Sequence, residues 1–352
     1  MAMADVTVYG AGIFGLSVAW ACASRGAGVR VIDPHGPGAG ASGGVVGALA
    51  PHVPENWNEK KQFQFESLLM AEAFWAEIES VGGVSSGYGR LGRLQPIADA
   101  AALTLAKARI HTAQTLWQGR AVWEVIDAET CGPWAPPSPT GLLIRDTLSG
   151  RMHPRRACAA LVAALRVKGV EVVPEARAEG HVVWATGVAG LQEISNQTGR
   201  AFGAGVKGQG ALLRGIPDLE AAPQIFANTV HVVPHADGTI AIGSTSERDY
   251  DDPHAVDAQL EEVIAKARAV VPALEQASVL ERWAGVRPRS RSRAPVLGRH
   301  PVSDGAFIAN GGFKIGFGMA PKVASVMADF ILEGVDNIPE GFRPEASLNR
   351  RR

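Results

Sequence analysis

The sequence GAGIFG, residues 10–15, decides the fold of this chain. It follows a short β-type run, 6–9, and opens an apolar helical pattern that begins at Leu16. A second β-type run, 29–32, is followed directly by an acidic residue, Asp33. This order of strand, glycine turn, helix, strand and acid is the order of a dinucleotide-binding βαβ unit.

Each glycine of the turn has its own role in such a unit. Gly10 permits the tight turn, Gly12 lets the backbone approach a pyrophosphate, and Gly15 lets the helix pack against the strand. The start of the helix offers N–H groups and a positive dipole end to phosphates. Asp33 can accept hydrogen bonds from a ribose 2′-OH and would repel a 2′-phosphate, which favours FAD or NAD over NADP. The predicted dinucleotide contacts in this unit are Gly10, Ala11, Gly12, Ile13, Phe14, Gly15, Asp33 and Pro34.

The composition bears on partners and location. The 352 residues suffice for two domains, and 46% hydrophobic residues provide a sizeable core. The 34 basic and 35 acidic side chains nearly cancel, which disfavours nucleic acid and anionic membranes as partners. Cys22, Cys131 and Cys158 are widely spaced, so no disulfide framework and no metal site are expected. With no run of transmembrane length and no basic start of a signal peptide, we expect a cytoplasmic protein without a membrane span.

The rest of the chain is organised around turns, strands and further helices. A glycine-rich loop, 36–47, contains apolar side chains that a solvated linker would avoid, so it is predicted to lie against a ligand. Residues 206–250 alternate and turn repeatedly, which is typical of an antiparallel sheet. Helices are predicted over 59–80, 100–118, 154–167, 255–270 and 321–333, and the last residues, 350–352, are predicted to be a frayed terminus.

Taken in order, eight segments resemble the D-amino-acid oxidase superfamily of FAD enzymes, particularly its glycine oxidase and monomeric sarcosine oxidase branches. After GAGIFG they are GASGGVVGALAPH (40–52), SGRMHPRRACAALVAAL (149–165), WATG (184–187), VKGQ (206–209), PHADGTIAIGST (234–245), AGVRP (284–288) and NGGFKIGFGMAP (310–321). Each motif alone is modest, and their common order over nearly the whole chain carries the resemblance.

One segment departs from the family pattern. The family usually inserts a β-meander before the strand that ends in ATG, whereas only residues 174–180 separate Val173 from His181 here. We therefore expect the surface above the adenosine half of FAD to be more open than in the relatives.

The resemblance implies an α/β fold, α+β overall, with two domains. The first is a discontinuous, Rossmann-like FAD-binding domain of the glutathione-reductase type, expected to comprise residues 1–80, 141–204 and 284–352. The second is a substrate domain with an antiparallel mixed sheet flanked by helices, expected to comprise residues 81–140 and 205–283.

The resemblance also implies the remaining site residues. Arg287 matches the family's substrate-carboxylate arginine, whose planar fork suits a carboxylate. Lys314 stands where sarcosine oxidase has a carboxylate-binding lysine. His52 is a third candidate, with a satisfied or solvent-facing histidine as the open alternative, and the same choice stays open for His231 and His235. Further FAD contacts are expected from Ala41, Ser42, Gly43, Gly47, Ala48, Leu49, Ala185, Thr186, Gly187, Arg287, Gly311, Gly312, Phe313, Lys314, Ile315, Gly316 and Phe317.

The implied activity is oxidation of a small amino acid or secondary amine that carries a carboxylate. Hydride would pass from the carbon bearing nitrogen to flavin N5, the imine would hydrolyse, and O₂ (giving H₂O₂) or another acceptor would reoxidise the flavin. Two alternatives stay open: oxidation of a carboxymethylaminomethyl group on tRNA, and a flavoprotein subunit of a hetero-oligomeric amine dehydrogenase. The substrate's identity and chirality, the electron acceptor and the oligomeric state, homo- or hetero-oligomer, also stay open.

Overall fold

A computed structural model describes residues 4–348, so the predicted frayed terminus, 350–352, lies outside the described residues. The helices and strands follow in chain order as β1 (Val6–Tyr9), α1 (Ile13–Ser24), β2 (Val29–Ile32), β3 (Ala48–Leu49), α2 (Glu59–Gly82), β4 (Arg93–Pro96), α3 (Ala100–Leu116), β5 (Trp123–Asp127), β6 (Leu142–Asp146), β7 (Gly150–Arg151), α4 (Pro154–Val167), β8 (Val172–Val173), β9 (His181–Trp184), α5 (Gly187–Thr198), β10 (Gly203–Arg214), β11 (Gln224–Ala227), β12 (Val230–Pro234), β13 (Thr239–Gly243), α6 (Ala258–Val270), β14 (Val279–Ser290), β15 (Val296–Arg299), β16 (Phe307–Asn310), α7 (Gly316–Ala328) and α8 (Pro344–Leu348).

The first sheet has six strands in the order β15-β16-β9-β1-β2-β8. β1 runs parallel to both of its neighbours, β2 and β9, and the edge strand β15 is antiparallel to β16. The carboxyl ends of β1, β2 and β9 therefore lie at one edge of the sheet, where they are followed by Gly10, Asp33 and Ala185. In open α/β sheets this edge is the usual place for a ligand.

The second sheet has eight strands in the order β14-β10-β13-β12-β11-β4-β6-β5. Its pairs are antiparallel apart from β11 with β4, which run parallel. α6 covers one face and buries Leu260, Ile264 and Ala267 in a core shared with Ile240 and Ile242. A separate two-stranded ladder, β3 with β7, ties the predicted flavin loop to the segment that enters α4.

The helices beside the first sheet share one core. α1 is apolar all round and is buried from Ile13 to Ala23, as expected for a helix enclosed by other elements. It packs against α7 and α4, and α2 packs against the same two helices. The Asn58 side chain accepts a hydrogen bond from Lys61 N–H at the start of α2, and Gly83 ends the helix at φ +65°.

The two sheets confirm the predicted fold class, and most predicted helices begin and end within a few residues of their expected bounds. The last predicted helix is wrong at its start: α7 begins at Gly316, with Pro321 inside it. Pro321 is the sixth residue of α7 and has no N–H group, so the helix lacks one backbone hydrogen bond at this position. Residues 174–180 form neither strand nor helix, as expected for a segment that lacks the β-meander.

The predicted domain division stays a prediction, and two strands bear on its boundaries. β6 belongs to the second sheet, although it was expected in the FAD-binding domain. β14 crosses the expected boundary between 283 and 284 and also belongs to the second sheet. Among residues 4–348, none of the helices is both long and apolar enough to cross a membrane.

A stability test follows from the crossing of α2 and α4. A Cβ at Gly82 would lie 2.6 Å from the backbone nitrogen of Ala164. We expect Gly82→Ala to lower the free energy of unfolding by about 1–3 kcal/mol, because the helices must move apart. Urea denaturation measures this.

The matched control for this test is Gly341→Ala, whose Cβ would meet no atom within 4 Å. It should change the free energy of unfolding by less than about 0.5 kcal/mol. Equal stability of the two variants would contradict the close crossing.

Candidate active site

A cleft of about 1240 Å³ lies at the carboxyl edge of the first sheet and extends to the second sheet. Its walls are the turn after β1, the end of β2, the loop 39–48, the turn after β9, part of β14 and the turn after β16. The volume exceeds the range of about 300–1,000 Å³ that is typical of drug-sized ligands. The cleft is therefore large enough for a dinucleotide together with a small second molecule.

The glycine turn brings three parts of the fold into contact. Gly10 has φ +102°, and a Cβ there would lie 2.4 Å from the carbonyl oxygen of Ala185. A Cβ at Gly15 would lie 1.9 Å from the carbonyl oxygen of Gly10. Glycine at these two positions thus lets α1 start directly beside β1 and lets the turn after β9 pack against both.

Two side chains accept hydrogen bonds from the backbone at the start of α1. Ala11 N–H donates to Asp33 Oδ2 over 2.7 Å, and Ile13 N–H donates to Ser42 Oγ over 2.9 Å. Asp33 Oδ1 accepts from His35 N–H, so each carboxylate oxygen keeps a free lone pair. Asp33 and Ser42 both line the cleft, where they suit a ribose hydroxyl and a phosphate group.

The loop 39–48 and the adjoining strand β3 are held in place by β7 with the segment after it and by the second sheet. A Cβ at Gly47, which has φ +67°, would lie 1.8 Å from the carbonyl oxygen of Met152. The Gln224 side chain donates to the carbonyl of Gly150 over 2.8 Å, and His235 Nε2 lies 3.0 Å from the carbonyl oxygen of Val45. The backbone of this loop therefore forms a fixed wall of the cleft.

Two positively charged side chains, Arg287 and Lys314, line the end of the cleft nearest the second sheet. Arg287 on β14 donates from Nη2 to Ser244 Oγ over 2.9 Å and from Nη1 to the carbonyl of Thr245 over 3.3 Å. Burial lowers the pKa of Arg287 to about 10, so it stays protonated at neutral pH. Lys314 is an exposed residue in the turn after β16, and partial burial of its ammonium group together with the charge of Arg287 lowers its pKa.

Neither cation is neutralised by the protein. Within the described part of the chain, no carboxylate lies within 4.0 Å of the Arg287 guanidinium or of Lys314 Nζ. Both side chains line the cleft. Because partly buried charges are costly without a counterion, this end of the cleft is built to receive an anion.

The remaining wall at this end is aromatic and uncharged. His231 lines the cleft, and burial and the charges of Arg93 and Lys314 lower its pKa to about 3, so it is neutral. Its Nδ1 lies 3.3 Å from Gln224 Oε1. The aromatic side chains that line the cleft as a whole, including its dinucleotide end, are Tyr9, Phe14, Phe226, Tyr250, Trp283, Phe313 and Phe317.

The structure brings most predicted site residues together in this cleft. The lining includes Gly10, Gly12, Ile13, Phe14, Asp33, Pro34, Ala41, Ser42, Gly47, Ala48, Ala185, Thr186, Gly187, Arg287, Gly311, Gly312, Phe313, Lys314, Gly316 and Phe317. The other predicted contacts lie beside the cleft without lining it: Ala11, Gly15, Gly43, Leu49 and Ile315. Among residues 4–348, no group of three His, Cys, Asp or Glu side chains is placed to hold a metal ion.

Two histidine candidates lie away from the cleft. The ring Nδ1 and the backbone N–H of His52 both contact Gln64 Oε1, which ties this residue to α2. His235 is 1% exposed and stacks obliquely on His153. The structure therefore favours the structural alternative for His52 and His235, and it places His231 in the cleft.

Sequence reasoning missed the groups that support Arg287. Ser244 and Thr245 accept its hydrogen bonds, and Gly208 lies beneath its guanidinium, where a Cβ would be 1.7 Å from Nη1. All three lie in quoted motifs, Gly208 in VKGQ and Ser244 and Thr245 in PHADGTIAIGST. The two motifs could have pointed to these residues. That the residues contact Arg287 is seen only from the pairing of β10 with β13 and with β14.

Comparisons with known proteins agree with the motifs. A family model described as DAO, FAD dependent oxidoreductase, matches residues 5–330. The chain is 26% identical over 359 residues to the bifunctional protein ThiO/ThiG of Trichormus variabilis, which covers 94% of this chain and 53% of that protein. The chain thus spans about half the length of that relative. It is 25% identical over 352 residues to glycine oxidase of Bacillus licheniformis, which covers 93% of each.

Solved structures share the fold over nearly the whole chain. Glycine oxidase from Geobacillus kaustophilus has a TM-score of 0.83 at 21% identity and covers 99% of both chains. Iminodiacetate oxidase from Chelativorans sp. BNC1 has a TM-score of 0.85 at 22% identity and covers 96% of this chain and 98% of that one. The fold is therefore common to enzymes of this group.

The contact between Gly10 and Ala185 gives a test of dinucleotide binding. We expect Gly10→Ala to carry much less FAD per polypeptide after purification, because the new Cβ pushes the turn off the carbonyl of Ala185. Flavin absorbance relative to protein measures the content. Gly26→Ala is the control, since Gly26 has φ +89° but open space around its Cβ. Equal FAD loss in both variants would mean that backbone strain alone is responsible.

The buried His235 gives a test of pH dependence. Its pKa is lowered to about 4, chiefly by burial, while Arg151 and His153 oppose and Asp237 favours its charged form. Since the unfolded chain takes up this proton near pH 6.5, stability is lost as pH falls from about 6.5 towards 4, by about 3 kcal/mol. Urea denaturation at successive pH values measures this.

A histidine on the surface provides the comparison for this pH test. His235→Gln should make the pH dependence less steep while the contribution of His231 remains, whereas His111→Gln, at an exposed position on α3, should leave the slope unchanged. An unchanged slope in His235→Gln would contradict the neutral, buried state of this ring.

Proposed function

Because this chain belongs to the DAO family of FAD-dependent oxidoreductases, we propose that its cleft holds FAD and oxidises a small amine or amino acid with a carboxylate. The proposal places the FAD pyrophosphate at the start of α1 and the ribose at Asp33. It places the flavin between the loop 39–48 and the turn after β16. The substrate then lies between the flavin and β14.

The shape of the cleft supports this placement of FAD. Gly10, Gly12 and Ser42 leave room and donors for phosphate at the helix N-terminus. The glycines that follow β16 bring backbone into the opposite wall, where a Cβ at Gly312 would lie 3.0 Å from the Phe14 ring. FAD supplies the two-electron oxidation of a C–H bond next to nitrogen, and the protein supplies position and electrostatics.

The proposal that the substrate has a carboxylate rests on Arg287 and Lys314, two positively charged side chains without a carboxylate partner. Arg287 uses two of its five N–H donors on Ser244 and Thr245 and keeps the others for a ligand. Lys314 adds a second positive charge from the turn after β16. A substrate carboxylate would neutralise both charges, and its binding fixes the direction of the rest of the molecule.

The uncharged wall supports oxidation of the amine in its neutral form. His231 is neutral, and the cleft presents no carboxylate next to Arg287 that would stabilise an ammonium group. The aromatic side chains Phe226, Tyr250 and Trp283 exclude water around the reacting carbon. The names of the relatives suggest glycine and iminodiacetate as first substrates to test, beside sarcosine and D-amino acids.

The bifunctional relatives favour a second proposal, namely that this enzyme works together with a second polypeptide or domain. The chain matches only about half of ThiO/ThiG, a protein named as bifunctional, so a second unit accompanies the matched part in that relative. Oxidation of a tRNA group has no such support.

We propose a cytoplasmic location because Cys22 and Cys158 are buried free thiols.

A panel of candidate substrates tests the proposal. Under anaerobic conditions, at least one of glycine, sarcosine, iminodiacetate, D-alanine and D-proline should bleach the flavin absorbance. Arg287→Ala should lower kcat/KM for that substrate by about 100-fold, and Arg287→Lys by about tenfold, because lysine lacks the planar fork.

The control is Arg291→Ala, which removes an exposed arginine that does not line the cleft. Its kcat/KM should stay within about twofold of the wild type. Absence of bleaching by every member of the panel would overturn the proposed activity. Unchanged substrate binding by Arg287→Ala would overturn the assignment of the carboxylate site.

A further inference from the structure

A buried polar network lies on the face of β10 opposite the face on which the Arg287 guanidinium packs over Gly208. Its buried or half-buried part comprises Lys207, Gln209, Thr245 and Glu247. The exposed Asp257 extends it, since its carboxylate accepts from Gln209 Nε2 over 2.9 Å and lies 3.8 Å from Lys207 Nζ. Lys207 is 3% exposed, Gln209 is fully buried and Glu247 is 8% exposed. Buried charges of this kind need a structural or functional reason.

The network is centred on the carboxylate of Glu247. Its Oε1 accepts hydrogen bonds from the Thr245 hydroxyl and from Gln209 Nε2, the latter over 3.1 Å. Its Oε2 lies 3.6 Å from Lys207 Nζ. Lys207 and Glu247 also exchange both backbone hydrogen bonds, each over 2.9 Å. The carboxylate is therefore paired and held in one position.

The same network fixes the backbone that holds Arg287. Gln209 N–H donates to Thr245 Oγ1 over 2.8 Å, and Thr245 N–H donates to the Gln209 carbonyl over 3.2 Å. Residues 244–245 are thus fastened to β10, with the Thr245 carbonyl and the Ser244 hydroxyl pointing at the guanidinium. Gly208, between Lys207 and Gln209, leaves the space that the guanidinium fills.

Charge adds to this mechanical support. Glu247 is the acidic group that favours the protonated form of Arg287, although it makes no ion pair with it. It thus compensates part of the cost of burying Arg287 while leaving the guanidinium donors free. A carboxylate in direct contact would instead compete with the substrate.

We propose that Glu247, held by Lys207 and Gln209, is a positioning residue that aims Arg287 at the substrate carboxylate through Ser244 and Thr245. This rests on the proposed role of Arg287. It explains the VKGQ motif: Lys207 and Gln209 hold the acid on one face of β10, and Gly208 admits the arginine on the other. Glu247 itself does not line the cleft.

A double-mutant cycle on the FAD-loaded enzyme tests the inference. Glycolate and its uncharged amide, glycolamide, are titrated against wild type, Glu247→Ala, Arg287→Ala and the double variant, and changes in flavin absorbance give the affinities. We expect Glu247→Ala to weaken glycolate binding at least about tenfold and to leave glycolamide within about twofold. In the Arg287→Ala background, Glu247→Ala should have no further effect, because its action passes through the arginine.

Three results would overturn the inference: glycolate binding in Glu247→Ala within about twofold of wild type, an equal loss for glycolamide, or a further loss in the Arg287→Ala background. Arg287→Ala alone tests the underlying carboxylate site, so a failure there is recognised separately. The control is Glu261→Gln, which removes an exposed carboxylate on α6 paired with Arg282 and should change neither affinity.

A milder variant covers the case in which Glu247→Ala yields no folded protein. Thr245→Val removes the hydroxyl that donates to Glu247 and keeps the carbonyl that accepts from Arg287. It should weaken glycolate about threefold with no change for glycolamide. If it binds glycolate as wild type does, and Glu247→Ala is unfolded, the inference is overturned. FAD content and thermal midpoint are measured for every variant.

Discussion

The fold depends on a close approach of backbone to backbone at Gly10. The turn after β1 lies so near the carbonyl of Ala185 that no side chain fits between them. This contact sets two neighbouring parallel strands at the same height, so their following turns form one continuous wall. α1 then starts at the edge of the cleft, and Asp33 and Ser42 reach its first N–H groups.

The electrostatics of the cleft differ between its two ends. At the dinucleotide end, backbone N–H groups and small side chains provide partial charges, and Asp33 is the charged group. At the other end, Arg287 and Lys314 carry full charges that the protein leaves without direct counterions. One end is thus suited to a large polar cofactor, and the other to a small anionic group. The network behind β10 lets the protein bury an arginine while its donors stay free.

The sequence predicted what depends on local pattern. The glycine turn and the helices α2 to α4 followed from residues close together in the chain. The family and its FAD cofactor followed from the order of eight short motifs along nearly the whole chain, and the family match confirms both. Contacts between strands that are distant in the chain could not be predicted from such local patterns. Gly208 and Arg287 meet because β10 pairs with β14, and strand parity alone did not separate His231 from His235. His52 lies in a quoted motif, yet its contact with Gln64 depends on where α2 packs.

One part of the cleft wall is made of a different kind of structure from the strand that carries Arg287. Arg287 projects from a strand paired along its whole length, whereas Tyr250, Pro253 and His254 come from the irregular connection between β13 and α6. Connections of this kind accept insertions and exchanges that a paired strand does not. Evolution can therefore change this part of the cleft wall while the strand that carries Arg287 stays unchanged. Such a division gives one scaffold a route to many amine substrates without rebuilding its charged centre.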